Sequence, residues 1–224
     1  MNRAIFIDRD GVINKLPPKY PNDGIGDIRN YITKWEDFEF LPGVEDAFKL
    51  IESSDYIPII VSNQGGAIGR ELVSYDAVFD IFDKMAWRLF DEDTMYALVG
   101  RFYFCPHLLS DNCACVKPKP GMLYQAAIEH DIVLAESWMI GDSDTDIEAG
   151  AAAGLTHLIK IDNSNPTVWQ TGQFNQHFEL EYFFRSKPSL LDVVKFILKH
   201  FELEYFFHSK PSLLDAVKFI LKIP

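Results

Sequence analysis

The stretch Ala4-Ile5-Phe6-Ile7-Asp8-Arg9-Asp10-Gly11 decides the fold of this chain. Its first four residues are apolar, with β-branched and aromatic types, which predicts a short buried strand ended by a turn at Gly11. In an extended chain residues i and i+2 share a face, so Asp8 and Asp10 would project to the same side. Two carboxylates this close repel unless a cation lies between them or one carries a proton. A plain acidic turn is the alternative on these residues alone, since Asp and Gly are common in turns.

The composition is that of an acidic globular protein. The chain has 224 residues, 48% hydrophobic and 24% charged, which predicts one well-filled domain with additions. The formal net charge of −12 disfavours nonspecific binding to nucleic acid or to anionic membranes. There is no apolar run of about 18 residues, and charges near the amino terminus interrupt any signal-peptide core. We therefore expect a cytoplasmic monomer with neither a nucleic-acid nor a membrane partner.

Segments of strand and helix type alternate along the chain. After the first strand, strands are expected at residues 57–61, 101–105, 137–140 and 157–161, and helices at 44–51, 72–90, 122–131 and 149–153. This alternation predicts an α/β fold with a doubly wound, Rossmann-like parallel sheet and right-handed crossovers. Residues 14–40 form a long loop rich in Pro, Gly and aromatic residues, and loops of this length are often functional.

Polar residues collect at the carboxyl ends of the predicted strands, where parallel sheets bind their ligands. They are Asp8 and Asp10, Ser62-Asn63-Gln64, a Cys/His loop followed by Lys117, and Asp142 to Asp146. In the last group Asp142 lies nearest the strand end and is the better metal ligand. Asp146 is expected to orient the site or to cap the next helix.

The residues at these strand ends could fill every role that the transfer of a phosphoryl group needs. Asp8 would attack phosphorus, while Asp10 would protonate the leaving oxygen and later activate water. A Mg²⁺ ion shared by Asp8 and Asp142 would shield the repulsion between carboxylate and phosphate. The Ser62 hydroxyl and the Lys117 ammonium would stabilise the equatorial phosphoryl oxygens.

A second candidate metal site follows the third predicted strand. Its ligands are Cys105, His107, Cys113 and Cys115. Three cysteines without a secretory signal argue against disulfide bonds, and four such ligands suffice for a closed, structural Zn²⁺ site. Three buried free thiols are the alternative. Zinc would staple loop 105–115 immediately before Lys117 and hold that lysine in place.

Taken together, the motifs resemble those of the haloacid dehalogenase (HAD) superfamily of phosphohydrolases over residues 3–162. Asp-Arg-Asp-Gly-Val-Ile-Asn from residue 8, Ser-Asn-Gln-Gly-Gly from residue 62 and Lys-Pro-Lys-Pro-Gly-Met from residue 117 are similar to one branch. That branch contains the D-glycero-D-manno-heptose-1,7-bisphosphate 7-phosphatases and the histidinol phosphatases. The Cys-Pro-His motif from residue 105 and the later Cys-x-Cys support the same branch.

The resemblance implies a mechanism and a pocket. It implies a phosphoaspartyl intermediate on Asp8, acid/base action by Asp10, and Mg²⁺ held by Asp8, Asp142 and the backbone carbonyl of Asp10. It also implies that no large cap domain is present, so that loop 14–40 would help to shape the substrate pocket.

The substrate is predicted less sharply than the reaction. Heptose 1,7-bisphosphate is expected first, and histidinol phosphate or another small phosphorylated metabolite second. Val116 and Ser143 stand where the heptose enzymes usually carry Arg and Lys, which removes positive charge near a phosphate-rich ligand. The residues predicted to bind substrate are Asn63, Gln64 and Arg70, and the candidates to replace the missing charge are Arg70, Lys15, Lys19 and Arg29. A receiver-like signalling domain and a non-catalytic assembly protein are alternatives from other classes.

The carboxyl-terminal part contains a near-identical repeat. Residues 177–199 and 200–222 differ only at the pairs Arg185/His208 and Val193/Ala216. Each copy predicts a short strand, at 180–184 or 203–207, and then a helix that begins near a proline. We expect one HAD-like domain over residues 1–199 and an appended copy at 200–224 that has no catalytic role and is available for an oligomer contact.

Overall fold

Seven strands form one sheet in the computed structural model, which describes residues 1–17, 31–90, 100–161, 167–170, 178–179, 189–195 and 197–198. The strands are β1 Arg3–Ile7, β2 Tyr56–Asn63, β3 Phe102–Cys105, β4 Trp138–Gly141, β5 His157–Lys160, β6 Thr167–Gln170 and β7 Phe178–Glu179. The helices are α1 Val44–Glu52, α2 Tyr75–Leu89, α3 Gly121–Glu129 and α4 Asp144–Ala153. Short 3₁₀ turns lie at Trp35–Asp37, Leu109–Asp111 and Leu134–Glu136, and residues 190–195 and 197–198 are helical.

The sheet has the order β3-β2-β1-β4-β5-β6-β7, and its first five strands are parallel. This confirms the predicted doubly wound α/β fold. The last two strands run antiparallel and extend the β5 edge. Strand β6 was not expected, because its four residues follow an Asn- and Pro-rich stretch that is typical of a loop. Antiparallel pairing with the edge of β5, from Lys160 with Thr167 to His157 with Gln170, makes it a strand.

Side chains alternate across β1 and divide the core into two layers. Ile5 and Ile7 are buried on the side that α1 and α2 cover, whereas Ala4 and Phe6 are buried against α3 and α4. All four residues have no exposed surface. Both faces of the strand are therefore covered, which explains why its sequence is a continuous apolar run and not an alternating one.

The order of the strands reverses between β1 and β4, and this point positions the site. Asp8 follows β1 directly, and its backbone N–H donates to the Ile140 carbonyl of β4 at 2.9 Å. Asp142 follows β4 on the other side of the same crevice. In doubly wound sheets ligands bind outside the carboxyl ends of the strands at such a switch point.

The long loop after β1 is described only at its two ends, which are joined to each other. Asn14 forms a β-bridge with Phe40, and the Lys15 N–H donates to the Glu39 carbonyl at 2.9 Å. Residues 18–30 of this loop lie outside the described residues, as do the predicted strands at 180–184 and 203–207 and the appended copy. Among the described residues, no helix is long and apolar enough to cross a membrane.

Candidate active site

A buried lysine, Lys117, contacts residues of β2, of α4 and of the turn that follows β1. The Lys117 ammonium lies 2.7 Å from Asp8 Oδ1 and 2.6 Å from Asp146 Oδ1, and it donates to the Val61 carbonyl at 2.8 Å. Lys117 is 2% exposed and Asp146 is fully buried, so these charges interact with little screening by solvent. The predicted nucleophile and the predicted phosphoryl-stabilising lysine are therefore in direct contact.

Burial and charge oppose each other in this ion pair. Burial raises the pKa of Asp8 above its ordinary value, and Asp146 and Asp10 add to the rise against the effect of Lys117. Burial alone would lower the pKa of Lys117, but the carboxylates of Asp8 and Asp146 raise it above its ordinary value. The lysine thus stays charged, and ionised Asp8 needs more positive charge than Lys117 alone provides.

Asp10 is held by a different set of partners. Arg9 Nη2 donates to both of its carboxylate oxygens, at 2.9 and 2.7 Å, Asn14 Nδ2 donates at 3.0 Å, and Gln64 Nε2 donates at 2.8 Å. Burial would raise the pKa of Asp10, but Arg9 and these hydrogen bonds hold it below its ordinary value. The two carboxylates of the motif therefore have opposite pKa shifts, as expected for groups with separate roles.

Asp142 closes the other side of the crevice. A Cβ atom on Gly11 would lie 2.1 Å from Asp142 Oδ2, and Gly11 has a φ of +88°, so no other residue fits at this turn without a shift. Burial, and then the Asp146 carboxylate, raises the pKa of Asp142 to about 6, although Lys117 acts against the rise. Asp142 is therefore short of positive charge in the protein without metal.

The acidic cluster suits a divalent cation. One carboxylate oxygen from each of Asp8, Asp142 and Asp146 lies within 4.8 Å of the others. Three carboxylates face one ammonium here, because Asp10 is neutralised by Arg9. The excess of two negative charges and the all-oxygen donor set match Mg²⁺. Asp146 also accepts from the N–H and hydroxyl of Ser143 at 3.0 and 2.7 Å, so it both caps α4 and pairs with Lys117.

The motif at the end of β2 contacts both halves of the site. Gln64 Nε2 donates to Ser62 Oγ at 2.8 Å as well as to Asp10. Asn63 pairs with the backbone of Lys117, donating to its carbonyl at 3.0 Å and accepting from its N–H at 2.9 Å. In this structure Asn63 and Gln64 therefore hold other site residues, and their predicted contact with substrate remains a prediction.

The four Cys/His ligand atoms form a compact cluster. Sulfur–sulfur distances are 3.3 to 3.5 Å, and His107 Nδ1 lies 3.6 Å from Cys105 Sγ and 3.3 Å from Cys115 Sγ. Zinc–ligand bonds of about 2.0–2.3 Å in a tetrahedron place ligands roughly 3.5–3.8 Å apart. The four atoms are thus nearly arranged for Zn²⁺, which would also relieve the crowding of three thiols.

The cluster loop rests on the loop that follows β2. The Gln64 N–H donates to the Cys105 carbonyl at 2.7 Å, and a Cβ atom on Gly65 would lie 1.7 Å from the His107 carbonyl oxygen. On the other side of the cluster, the Val116 N–H donates to Cys113 Sγ at 3.3 Å. The Cys/His loop therefore supports both Gln64 and Lys117, although it lies outside the crevice itself.

The remaining predicted residues have varied positions. Arg70 is exposed, and Lys15 pairs with Glu39 at the base of the long loop. Lys19 and Arg29 lie outside the described residues. The two departures from the family pattern have structural roles, since Val116 is buried in the core and Ser143 caps α4.

Two supporting residues were missed from the sequence. Arg9 reaches Asp10 and also stacks its guanidinium over Phe82, with 5.3 Å from Cζ to the ring centroid. Asn14 donates to both Asp10 and the Lys15 carbonyl. The signal for Arg9 was its place between the two carboxylates of the motif, where period-two alternation sends it to the opposite face. Asn14 gave no signal of its own, because its contact depends on the turn at Gly11.

Comparison with known proteins agrees with this geometry. The model of the family described as HAD-hyrolase-like matches residues 114–167. A D-glycero-beta-D-manno-heptose-1,7-bisphosphate 7-phosphatase from Helicobacter pylori (strain ATCC 700392 / 26695) is 36% identical over 183 residues, which are 80% of this chain and 97% of that protein. The chain belongs to this family of HAD-like phosphatases.

Two further members of the heptose-bisphosphate phosphatase family extend the likeness. The D-glycero-alpha-D-manno-heptose-1,7-bisphosphate 7-phosphatase of Campylobacter jejuni (subsp. jejuni serotype O:2, strain ATCC 700819 / NCTC 11168) is 32% identical over 185 residues, 83% of this chain and 97% of its own. The crystal structure of a D,D-heptose 1,7-bisphosphate phosphatase from B. bronchiseptica, complexed with magnesium and phosphate, is 25% identical. It aligns with a TM-score of 0.61 over 88% of this chain and 99% of its own.

Proposed function

We propose that this HAD-like phosphatase removes the phosphate at C7 of D-glycero-D-manno-heptose 1,7-bisphosphate through a phosphoaspartyl intermediate. The observation that carries the chemistry is the contact between Asp8 and Lys117 at the switch point, with Asp10 beside them. The substrate rests on the relatives, which are named for this sugar and align over nearly their full length.

In the first step a carboxylate oxygen of Asp8 attacks phosphorus, and the bond from phosphorus to the C7 oxygen breaks. Asp10 donates its proton to that oxygen, and the sugar leaves as an alcohol. In the second step Asp10 takes a proton from water, whose oxygen attacks the phosphoaspartate. Inorganic phosphate leaves, and Asp8 and Asp10 return to their starting states.

Asp10 must gain a proton before the first step, although Arg9, Asn14 and Gln64 favour its ionised form. The phosphate dianion that binds near Asp10 favours the protonated form, because its negative charge raises the pKa of a neighbouring carboxyl group. Gln64 also bonds Ser62, so the arrival of a phosphoryl group at Ser62 rearranges the hydrogen bonds of Asp10. Substrate binding thus prepares the acid.

The acidic cluster is proposed to hold Mg²⁺ through the carboxylates of Asp8 and Asp142 and the Asp10 backbone carbonyl. When bound, the ion supplies the positive charge that lets a carboxylate approach a phosphate. Lys117 provides a fixed positive charge at Asp8, and Ser62 offers a hydroxyl at the end of the neighbouring strand. Asp146 positions Lys117 and the first turn of α4.

The Cys/His cluster is proposed to hold a structural Zn²⁺. All four ligands would be used by protein atoms, which leaves no position for a substrate. Cys113→Ser is therefore expected to lower zinc content to below about half of an ion per chain, together with the melting temperature and turnover. Ser110→Ala, in the same loop, is the matched control. Full zinc loss with unchanged turnover would contradict a role for zinc in supporting Lys117.

The main test is phosphate release from purified protein with Mg²⁺ present. Both anomers of heptose 1,7-bisphosphate are compared with heptose 1-phosphate, heptose 7-phosphate and histidinol phosphate. We expect rapid release from C7 of one or both bisphosphate anomers, and a loss of about 10³-fold or more in Asp8→Asn. Asp55→Asn, at an exposed residue paired with Arg3, is the matched control. Retained turnover in Asp8→Asn would refute the nucleophile.

Histidinol phosphate is the second candidate substrate. It is favoured by Val116, an apolar and buried side chain at a position where the heptose enzymes usually carry arginine. A substrate with one phosphate needs less positive charge than a bisphosphate. A kcat/KM for histidinol phosphate above that for both bisphosphate anomers would select it.

A further inference from the structure

The helical segment that follows Ser189 completes the core on the side of α1 and α2. Val193, Val194 and Ile197 have no exposed surface, and Leu190 is 2% exposed. All four belong to the core cluster that includes α1 and α2. The described helical part of the first copy of the carboxyl-terminal repeat is therefore an integral part of the domain.

The beginning of this segment is held by a cap of its own side chains and lies close to the backbone at Gly43. Ser189 and Asp192 form a capping arrangement, in which the Ser189 N–H and hydroxyl donate to Asp192 Oδ2 at 2.9 and 2.8 Å. A Cβ atom on Gly43 would lie 3.0 Å from Leu191 Cβ. The groove beside Gly43 is the surface of α1 and α2 that this segment covers. It thus fits a segment of this length and side-chain pattern.

The second copy carries nearly the same side chains at the same spacing. Its equivalents of Ser189, Leu190, Leu191, Asp192, Val194 and Ile197 are Ser212, Leu213, Leu214, Asp215, Val217 and Ile220. Among the buried positions only Val193 changes, to Ala216. The Phe178–Glu179 dipeptide that forms β7 also recurs, as Phe201-Glu202. Every described contact of the first copy except that of one valine can therefore be made by the second.

We propose that the groove beside Gly43 accepts either copy, so that residues 200–222 are an intramolecular replacement for residues 177–199. The two copies compete for one site, and each molecule buries one of them there. The duplication thereby makes the last element of the fold redundant.

Two effects set the balance between the copies. Ala216 in place of Val193 buries less apolar surface, by about two methylene equivalents, which favours the first copy about 15-fold. Docking the second copy lengthens the connection after Gln170 from residues 171–177 to 171–200, about fourfold, which costs roughly another eightfold in closure probability. The first copy is thus favoured by about a hundredfold, and the second takes over when the first is disabled.

The test uses three variants of the full chain: Val193→Asp, Ala216→Asp and the double variant. Aspartate at residue 193 places a charge at a fully buried position and should expel the first copy. Urea unfolding at pH 7 and two protein concentrations measures the equilibrium, and phosphate release from the best substrate of the panel shows that the domain is folded.

We expect Ala216→Asp alone to change the unfolding constant less than twofold, because the first copy occupies the groove. Val193→Asp should increase it by about a hundredfold and remain folded and active. In the double variant the unfolding constant should rise at least a further hundredfold, since neither copy can then dock.

The double-variant comparison is the decisive measurement. If Ala216→Asp has no effect in the Val193→Asp background, or if Val193→Asp alone does not fold, the proposal is wrong. A folded Val193→Asp that is dimeric and loses stability on dilution would also overturn it, because the second copy would then dock on another molecule.

Discussion

Asn63 and Lys117 are joined by two hydrogen bonds, from the Lys117 N–H to Asn63 Oδ1 at 2.9 Å and from Asn63 Nδ2 to the Lys117 carbonyl at 3.0 Å. The side-chain amide of Asn63 thus fixes the position of the Lys117 backbone. Because the Lys117 ammonium also bonds the Val61 carbonyl, both ends of this lysine are attached to β2.

Asn63→Ala is therefore expected to lower kcat by about 10- to 100-fold through misplacement of Lys117, with little effect on the affinity for Mg²⁺. Asn63→Asp keeps the hydrogen-bond acceptor but loses the donor, so its kcat should lie between those of Asn63→Ala and the parent. Steady-state kinetics with a Mg²⁺ titration checks both. A change confined to KM would instead make Asn63 a substrate-binding residue.

Gly65 tests the support that the Cys/His loop gives to the site. Gly65→Ala would place a methyl group against the His107 carbonyl, where only about 1.7 Å is available, so the loop must move. We expect lower zinc content and at least about tenfold lower turnover. Gly154→Ala is the control, because that glycine has a φ of +86° and a methyl group placed on it would meet nothing within 4 Å. Gly154→Ala should lower the free energy of unfolding by roughly 1 kcal/mol and leave the zinc content unchanged.

Lys117→Met leaves buried carboxylates without their ammonium partner. We expect a loss of about 3 kcal/mol in the free energy of unfolding of the metal-free protein at neutral pH. The loss should be nearly constant below about pH 7 and should grow above about pH 8, because burial raises the pKa of Asp8 to about 8 even beside Lys117 and removal of Lys117 raises it further, so that Asp8 then ionises in the parent but not in the variant. Denaturant unfolding between about pH 6 and 9.5 measures this, with Lys84→Met on the surface as control. A loss that is constant with pH would contradict the ion-pair explanation.

Asp142 predicts how Mg²⁺ affinity depends on pH. Its pKa of about 6 without metal, and the pKa of about 8 to which burial raises Asp8, mean that protons compete with the cation at both carboxylates. The apparent affinity should fall by about tenfold for each unit below pH 8 and more steeply below pH 6. Calorimetric titration of Mg²⁺ checks the slope.

Asp144 offers a matched comparison for that measurement. Asp142→Asn should abolish most of the rise in melting temperature that Mg²⁺ produces, whereas Asp144→Asn, two residues away, exposed and paired with Lys160, should leave it unchanged. An Asp142→Asn variant that still binds Mg²⁺ with parent affinity would remove Asp142 from the metal site.

Much of the fold and the site was predictable, because the relevant signals are local. The apolar run of β1 and the polar residues after each strand determine both the parallel sheet and the edge at which Asp8, Lys117 and Asp142 meet. Strand β6 was not predicted, since four residues after a turn-rich stretch are too few for a periodic pattern and depend on the partner edge. The Asn63–Lys117 pair, which spans 54 positions, was likewise invisible.

The partners of Asp10 show a second limit of sequence patterns. Two carboxylates at i and i+2 predict one shared site, yet Arg9, between them in sequence, draws Asp10 into its own hydrogen-bond network while Lys117 holds Asp8. The spacing of residues in the sequence predicts which side chains share a face of a strand. Which positively charged side chain each carboxylate pairs with depends on tertiary packing. The different pKa shifts of Asp8 and Asp10 follow from that packing.

The Cys/His cluster is not equally shielded on all sides. Cys105 is buried and the other two cysteines are half-buried, but His107 is exposed. A bound zinc ion would accordingly be lost and regained through the exposed side at His107, so that chelators would reach it from one direction.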